Sequence, residues 1–162
     1  MEHNNQEQLP PPPSIKNNYF TSLRTAAKII NPHPSDIKNF QLNVRGLSDL
    51  TKFGKLCSAL ATFSFQFDVI VLSEVKIKST FPVKLYNING YNQFSSLRTE
   101  RGGGGLVVFI KQEFTVEEIP PTPNKFEKLN LSFKRAEMKM RMLAYYRAPS
   151  TNVKDFLEDL ET

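Results

Sequence analysis

The chain has 162 residues, a formal net charge of +5 and 40% apolar residues including 13 phenylalanines, enough for one domain with a sizeable core. No run of about 18 uncharged apolar residues occurs, which excludes a membrane-spanning helix, and residues 1–14 lack the basic-then-apolar pattern of a signal peptide. With Cys57 as the one cysteine and His3 and His33 as the two histidines, an internal disulfide and a Cys/His zinc site are excluded on count.

These features suit a reducing compartment, nuclear or cytoplasmic, and neither secretion nor a membrane. The last eight residues hold Asp155, Glu158, Asp159 and Glu161 and no base; without them the balance is 21 basic against 12 acidic, or +9. Such an excess suits a polyanionic partner, because neutralising phosphates releases counterions. It is equally the mark of a soluble protein, and charge alone does not separate the two.

Residues 1–36 read as a disordered or loosely docked tail. Asn, Gln and four consecutive prolines, Pro10 to Pro13, offer nothing to bury. The proline run is a spacer or a ligand for an SH3-type groove. Within the tail, Leu23, Ala26, Ala27 and Ile30 share one helical face before Asn31 and Pro32. This face docks on the body or stays loose, and the loose alternative is favoured.

The body, residues 37–162, opens with an extended run at 37–44. Ser48 or Asp49 can cap a helix over about 50–63, with Phe53, Leu56, Cys57, Leu60 and Phe63 on one face. Cys57 belongs to that stripe and reads as a small core residue. Residues 68–73, Asp-Val-Ile-Val-Leu-Ser, form the continuous apolar run of a strand buried on both faces. Strand, helix and buried strand make one βαβ unit. Residues 87–94 are extended with a turn at Asn89-Gly90, and 105–111 form another apolar strand. Segments 126–133 and 138–146 flank a turn at 134–137. Pro149-Ser150 opens a last helix with Val153, Phe156, Leu157 and Leu160 on one face. Together these predict a mixed-sheet α/β layer protein.

Four places carry possible chemistry. Glu74 follows a buried strand at its carboxyl end, where open α/β sheets place ligands; a carboxylate there suits Mg²⁺, although position alone favours a solvated strand-end glutamate. Asn43 holds the same place on the preceding strand, where an asparagine is also a common turn former. Arg98 and Arg101 flank Gly102 to Gly105, which lacks the Gly-Lys-Ser/Thr of a P-loop and fails the dinucleotide fingerprint. It reads as a turn whose arginines face phosphates. Tyr146 closes a strand before Arg147-Ala-Pro149-Ser150 and can aim its hydroxyl into a site, or serve as core with a wet tip.

In this order, Asn43-Val-Arg45-Gly46-Leu47, Val71-Leu-Ser-Glu74, Gly90-Tyr91, Arg98-x-x-Arg101-Gly-Gly-Gly and Tyr146-Arg-x-Pro-Ser150, the segments resemble the endonuclease domain of non-LTR (LINE-type) retrotransposons. That domain belongs to the endonuclease/exonuclease/phosphatase superfamily. The resemblance covers 37–162 and implies a DNase I-like four-layer α/β sandwich with mixed β-sheets. It implies Asn43 as the phosphate-orienting asparagine, Glu74 as the Mg²⁺ ligand and Tyr146 as the tyrosine supporting the scissile phosphate. Arg98 and Arg101 would contact DNA. The implied activity is phosphodiester hydrolysis by metal-activated water, nicking DNA, with a reverse transcriptase domain downstream in the parent protein.

Two departures stand out. Leu42 replaces an aromatic residue often found before the asparagine. The family's later Gly-Asp-Phe-Asn segment, further aspartate and closing Ser-Asp-His are absent, so the chain is expected to be a truncated, inactive fragment. With the second sheet mostly missing, Val107, Phe109 and Leu131 are expected to be at risk of exposure and the fragment to self-associate. The rival from another class is a non-enzymatic, basic nucleic-acid-binding fragment. A second rival keeps the superfamily and exchanges DNA for a phospholipid, a sugar phosphate or RNA.

Overall fold

The computed structural model describes residues 23, 25–47, 49–77, 82–98, 103–120 and 126–160. β1 (Asn39–Asn43) and β2 (Val69–Ser73) run parallel, with Asn39 opposite Val69 and Asn43 opposite Ser73. A parallel pair needs a crossover, and helix α1 (Leu50–Leu60) supplies it. Of the two candidate caps, Asp49 has extended dihedrals and its carboxylate accepts the Thr51 N–H at 2.7 Å. The helix ends at Leu60, three residues before the expected limit, and Phe63 is buried from the turn that follows.

The Asn89-Gly90 turn leads into β3 (Tyr91–Ser96), then β4 (Leu106–Lys111). The first sheet has the order β1-β2-β4-β3, with β4 antiparallel to both neighbours. The second is antiparallel, in the order β5-β6-β7: β5 (Thr115–Ile119), β6 (Glu127–Arg135) and β7 (Met138–Tyr146). Ala136 takes the left-handed conformation in the tight β6–β7 turn, at φ 50°. The sequence reading missed β5, whose run Thr-Val-Glu-Glu-Ile has little apolar signal. It forms because pairing with β6, from Thr115 opposite Lys134 to Ile119 opposite Asn130, satisfies its backbone.

Alternation in the two central strands decides the layers. Ile70 and Leu72 of β2, with Val107 and Phe109 of β4, face α1 and join Phe53, Leu56 and Tyr86. Val69 and Val71, with Leu106, Val108 and Ile110, face the second sheet and pack on Leu129, Leu131, Phe133 and Ala144. The order is helix, sheet, sheet, helix, the four-layer α/β sandwich anticipated from the sequence. The expected exposure of core strands is corrected: Val107 is 1% exposed, and Phe109 and Leu131 are wholly buried. The first sheet, through Val69, Val71, Val108 and Ile110, covers Leu131, and α1 covers Val107 and Phe109.

The outer layer differs from expectation on the last helix, α2 (Val153–Leu160). Val153, Leu157 and Leu160 are exposed; only Phe156 of the predicted face packs, edge-on against Phe126 and Tyr145. Polar contacts do the rest, with Asp159 pairing Lys128 at 3.4 Å. Before β1, Leu23, Ala26 and Ala27 pack, partly buried, against the α1-side core, so this short stretch is docked. No helix among the described residues is long and apolar enough to cross a membrane.

These layers predict a contrast in stability. Phe109→Ala should cost about 3–5 kcal/mol through lost transfer energy and a cavity. Leu157→Ala, on the exposed face of α2, should stay within about 0.5 kcal/mol. Urea unfolding followed by far-UV circular dichroism measures both, and equal costs would show that the layers are misassigned.

Candidate active site

β1 and β2 end side by side, and the chain leaves each through a loop that continues their pairing. Val44 N–H donates to Ser73 O at 2.9 Å, Gly46 N–H to Glu74 O at 2.7 Å and Leu47 N–H to Val75 O at 2.7 Å. Lys52 of α1 reaches over and donates to Val44 O at 2.6 Å and Gly46 O at 2.7 Å. The buried Tyr86 hydroxyl donates to Leu47 O. These bonds tie the two loops to each other, to the end of β2 and to α1, so the strand ends are held in place.

Three residues without the freedom of glycine sit in the left-handed region here: Arg45 (φ 48°), Glu74 (φ 53°) and Lys76 (φ 51°). Such conformations cost of order 1–3 kcal/mol each and gather at functional sites. The turn at Glu74 moves its side chain off the strand's in-and-out alternation. Val75 is fully buried while Glu74 keeps an 18% exposed side chain at the sheet edge.

Tyr146, the last residue of β7, arrives at that edge from the other sheet. Its hydroxyl donates to Glu74 Oε1 at 3.1 Å across 72 positions of sequence. Asn43 completes the group: its Oδ1 accepts the Arg45 N–H at 3.0 Å, and its side-chain amide hydrogen-bonds the Glu74 carboxylate. Asn43, Glu74 and Tyr146, singled out separately in the sequence, thus meet at one place.

The electrostatics follow from these contacts. The Asn43 hydrogen bond holds the Glu74 carboxyl below its ordinary range, against partial burial, with help from Tyr146, Lys76 and Arg45. Lys76 Nζ is 3.9 Å from Glu74 Oε2 and its side chain is about half exposed. Burial pushes the Tyr146 phenol up, and the nearby Glu74 and Glu127 carboxylates add to this. The result is an ionised acceptor facing a donor that keeps its proton.

Arg98, expected to face phosphates, is paired within the protein. Its Nε and Nη2 fork onto Glu127 Oε1 and Oε2, the second contact at 3.1 Å, and Glu127 is 5% exposed. Arg101 lies outside the described residues. Glu127 escaped the sequence reading, although a signal was present. It falls in phase with Leu129, Leu131 and Phe133, the inward row of β6. Gly104 was also undervalued. At φ +73° it stands so close that an added Cβ would lie 2.6 Å from Glu127 Oε1 and 3.0 Å from Tyr146 Cε1.

Away from this edge, a cavity of about 460 Å³ with a mixed polar and apolar lining opens beside Cys57, Phe65 and Tyr91, near the amino ends of β2 and β3. None of the site residues lines it. Burial raises the Cys57 thiol, which keeps it protonated and fits its place in the core stripe.

Solved structures with this arrangement of layers place the chain among known folds. It is similar to the endonuclease domain of TRAS1, a telomere-specific non-LTR retrotransposon, with a TM-score of 0.53 at 15% identity, covering 76% of this chain and 51% of that one. It is similar also to AP endonuclease LMAP from Leishmania major, with a TM-score of 0.54 at 13% identity, covering 86% and 55%. The likeness is one of fold, the DNase I-like sandwich of endonuclease/exonuclease/phosphatase proteins. The chain spans about half the length of the structures it matches. No protein-family model and no curated protein matches the sequence.

The hydrogen bonds on Glu74 predict an ordered response. Asn43→Ala should raise the Glu74 carboxyl, and Tyr146→Phe should raise it by less, both read by carbon-detected NMR titration. Because Glu74 is depressed in the folded state, its stabilisation holds above the ordinary carboxylate range and fades as pH falls through the folded value. Asn43→Ala should therefore lose stability at neutral and alkaline pH, where Glu74 is ionised, and leave stability below the folded value unchanged, so that its stability falls less steeply on acidification. An unmoved Glu74 in both variants would show that these bonds do not form in solution.

Proposed function

We propose that this chain forms part of a metal-dependent phosphodiesterase domain that cuts DNA, of the type carried by non-LTR retrotransposons. The observation that carries the reading is the meeting of Asn43, Glu74 and Tyr146 at one sheet edge, with the Tyr146 hydroxyl 3.1 Å from Glu74 Oε1. An ionised carboxylate, a neutral amide and a protonated phenol are suited to a phosphodiester. The first attracts a cation, and the other two present hydrogen-bond donors without adding negative charge.

The donor set fits Mg²⁺, which keeps several waters and is held by one or two carboxylates plus substrate phosphate. Glu74 would be its protein ligand; among the described residues no cluster of three or more His, Cys, Asp or Glu forms a protein cage. When bound, Mg²⁺ supplies an activated water and neutralises charge on the phosphate and leaving oxygen. Asn43 keeps Glu74 ionised and turned toward the edge. Tyr146 fixes the other side of the carboxylate and offers its hydroxyl next to the position of a phosphate oxygen.

DNA is the proposed partner, and the retrotransposon reading places a reverse transcriptase downstream in the parent protein. Arg98 and Arg101 were the expected DNA contacts. With Arg98's fork on Glu127, the half-exposed Lys76 beside Glu74 is the better-placed cation for a phosphate. A basic nucleic-acid-binding fragment without catalysis is the rival reading, supported by the net charge of +5.

Glu74 is the carboxylate at this edge left to a metal, since Glu127 is committed to Arg98, and no histidine stands with it among the described residues. The 162-residue chain by itself is therefore expected to bind Mn²⁺ or Mg²⁺ weakly and not to nick supercoiled plasmid. Paramagnetic Mn²⁺ should broaden the NMR signals of Asn43, Glu74 and Tyr146, and Glu74→Gln should abolish the effect. Broadening that is absent, or that survives Glu74→Gln, would leave salt-sensitive DNA binding without a metal site, and the rival reading would stand.

A further inference from the structure

The fork between Arg98 and Glu127 lies outside the roles given to the site, and its position is specific. Glu127 is the first residue of β6 and sits directly opposite Tyr146, the last residue of β7, in the antiparallel register. Arg98 follows β3, which belongs to the other sheet. The ion pair therefore bridges the two sheets at the row that carries Tyr146. Both partners are largely withdrawn from water, with side-chain exposures of 29% and 6%. A pair of this kind is a doubtful source of stability, because desolvation offsets much of its attraction. Its fixed two-bond geometry instead imposes position.

Gly104 closes the arrangement. Its missing Cβ leaves room for Glu127 Oε1 and the Tyr146 ring, and its carbonyl accepts the Lys76 N–H at 2.8 Å. The Arg98–Glu127 pair, the Tyr146 ring and the loop carrying Glu74 are thus packed into one unit. Any movement of Glu127 on β6 shifts its cross-strand neighbour Tyr146 relative to Glu74.

We propose that Arg98 and Glu127 are positioning residues that set the spacing of the two sheets at the site edge and so hold the Tyr146 hydroxyl on Glu74. This rests on the reading of Asn43, Glu74 and Tyr146 as the site. It gives Arg98 a role behind Tyr146 and not one on the DNA.

The test uses the full chain labelled with ¹³Cζ-tyrosine, the Tyr146 signal being identified with Tyr146→Phe. Glu74→Gln sets the reference for a weakened contact on the phenol. Arg98→Gln and Glu127→Gln should each move the Tyr146 signal in the direction Glu74→Gln moves it. Tyr86 and Tyr91, whose hydroxyls bond Leu47 O and Phe67 O, should stay in place as reporters of an intact core. Combining Arg98→Gln with Glu74→Gln should add little to Glu74→Gln alone. Should Arg98→Gln fail to fold, Arg98→Lys, which keeps the charge and loses the fork, decides: it should move Tyr146 in the same direction by a smaller amount. A Tyr146 signal unmoved in folded variants overturns the proposal, as does one that moves together with Tyr86 and Tyr91. The outcome is independent of the metal reading, since a Tyr146 shift without any Mn²⁺ effect keeps the positioning role and removes only the phosphodiesterase.

Discussion

Leu72 and Phe109 are wholly buried on one face of the first sheet, and Val108 and Ile110 on the other. This double burial of β2 and β4 is the constraint from which the rest of the molecule follows. A strand apolar on both faces needs two covers, since every uncovered residue leaves apolar area in water. Helix α1 is one cover and the β6–β7 hairpin is the other. Once both are in place, the ends of the central strands are the only parts of them that can meet a ligand. Glu74 stands at such an end, just past the last buried residues of β2, where a carboxylate need not be desolvated completely.

The second sheet has a consequence beyond coverage. By packing on the inner face of β4 it brings the last residue of β7 against the first residue after β2, and Tyr146 reaches Glu74. The same closeness buries Glu127, which must find a cation, and Arg98 from the first sheet provides it. Core packing, an ion pair and a site hydrogen bond therefore share one edge. The left-handed residues Arg45, Glu74 and Lys76 show that backbone strain collects there too, tolerated because the flanking loops are bonded to each other and to α1.

How far the sequence went can be judged residue by residue. The apolar runs of β2 and β4, the stripe of α1 and the β6–β7 turn are local patterns, and each is found within a few residues of where the spacing puts it. β5 was hidden because its stability comes from pairing with β6, and Thr-Val-Glu-Glu-Ile carries little pattern of its own. The last helix was placed correctly, but its apolar stripe is not its buried face. Tyr145, Phe126 and Lys128 on the sheet below present a partly polar surface, and Phe156 with Asp159 fits it.

Asn43, Glu74 and Tyr146 were legible as strand-end residues, and family resemblance joined them into a proposed site. What the sequence by itself determined is the set of elements with a strong local period and the placing of these three residues at strand ends. Periodicity acts over a few residues, so it reports which face a side chain takes and not which distant strand lies beside it. Only the tertiary structure decided that Arg98 pairs with Glu127, that Gly104 must lack a side chain, and that Tyr146 bonds Glu74. Those are contacts between two sheets, between 23 and 72 positions apart in sequence, and they exist only because burying both faces of β2 and β4 presses the sheets together.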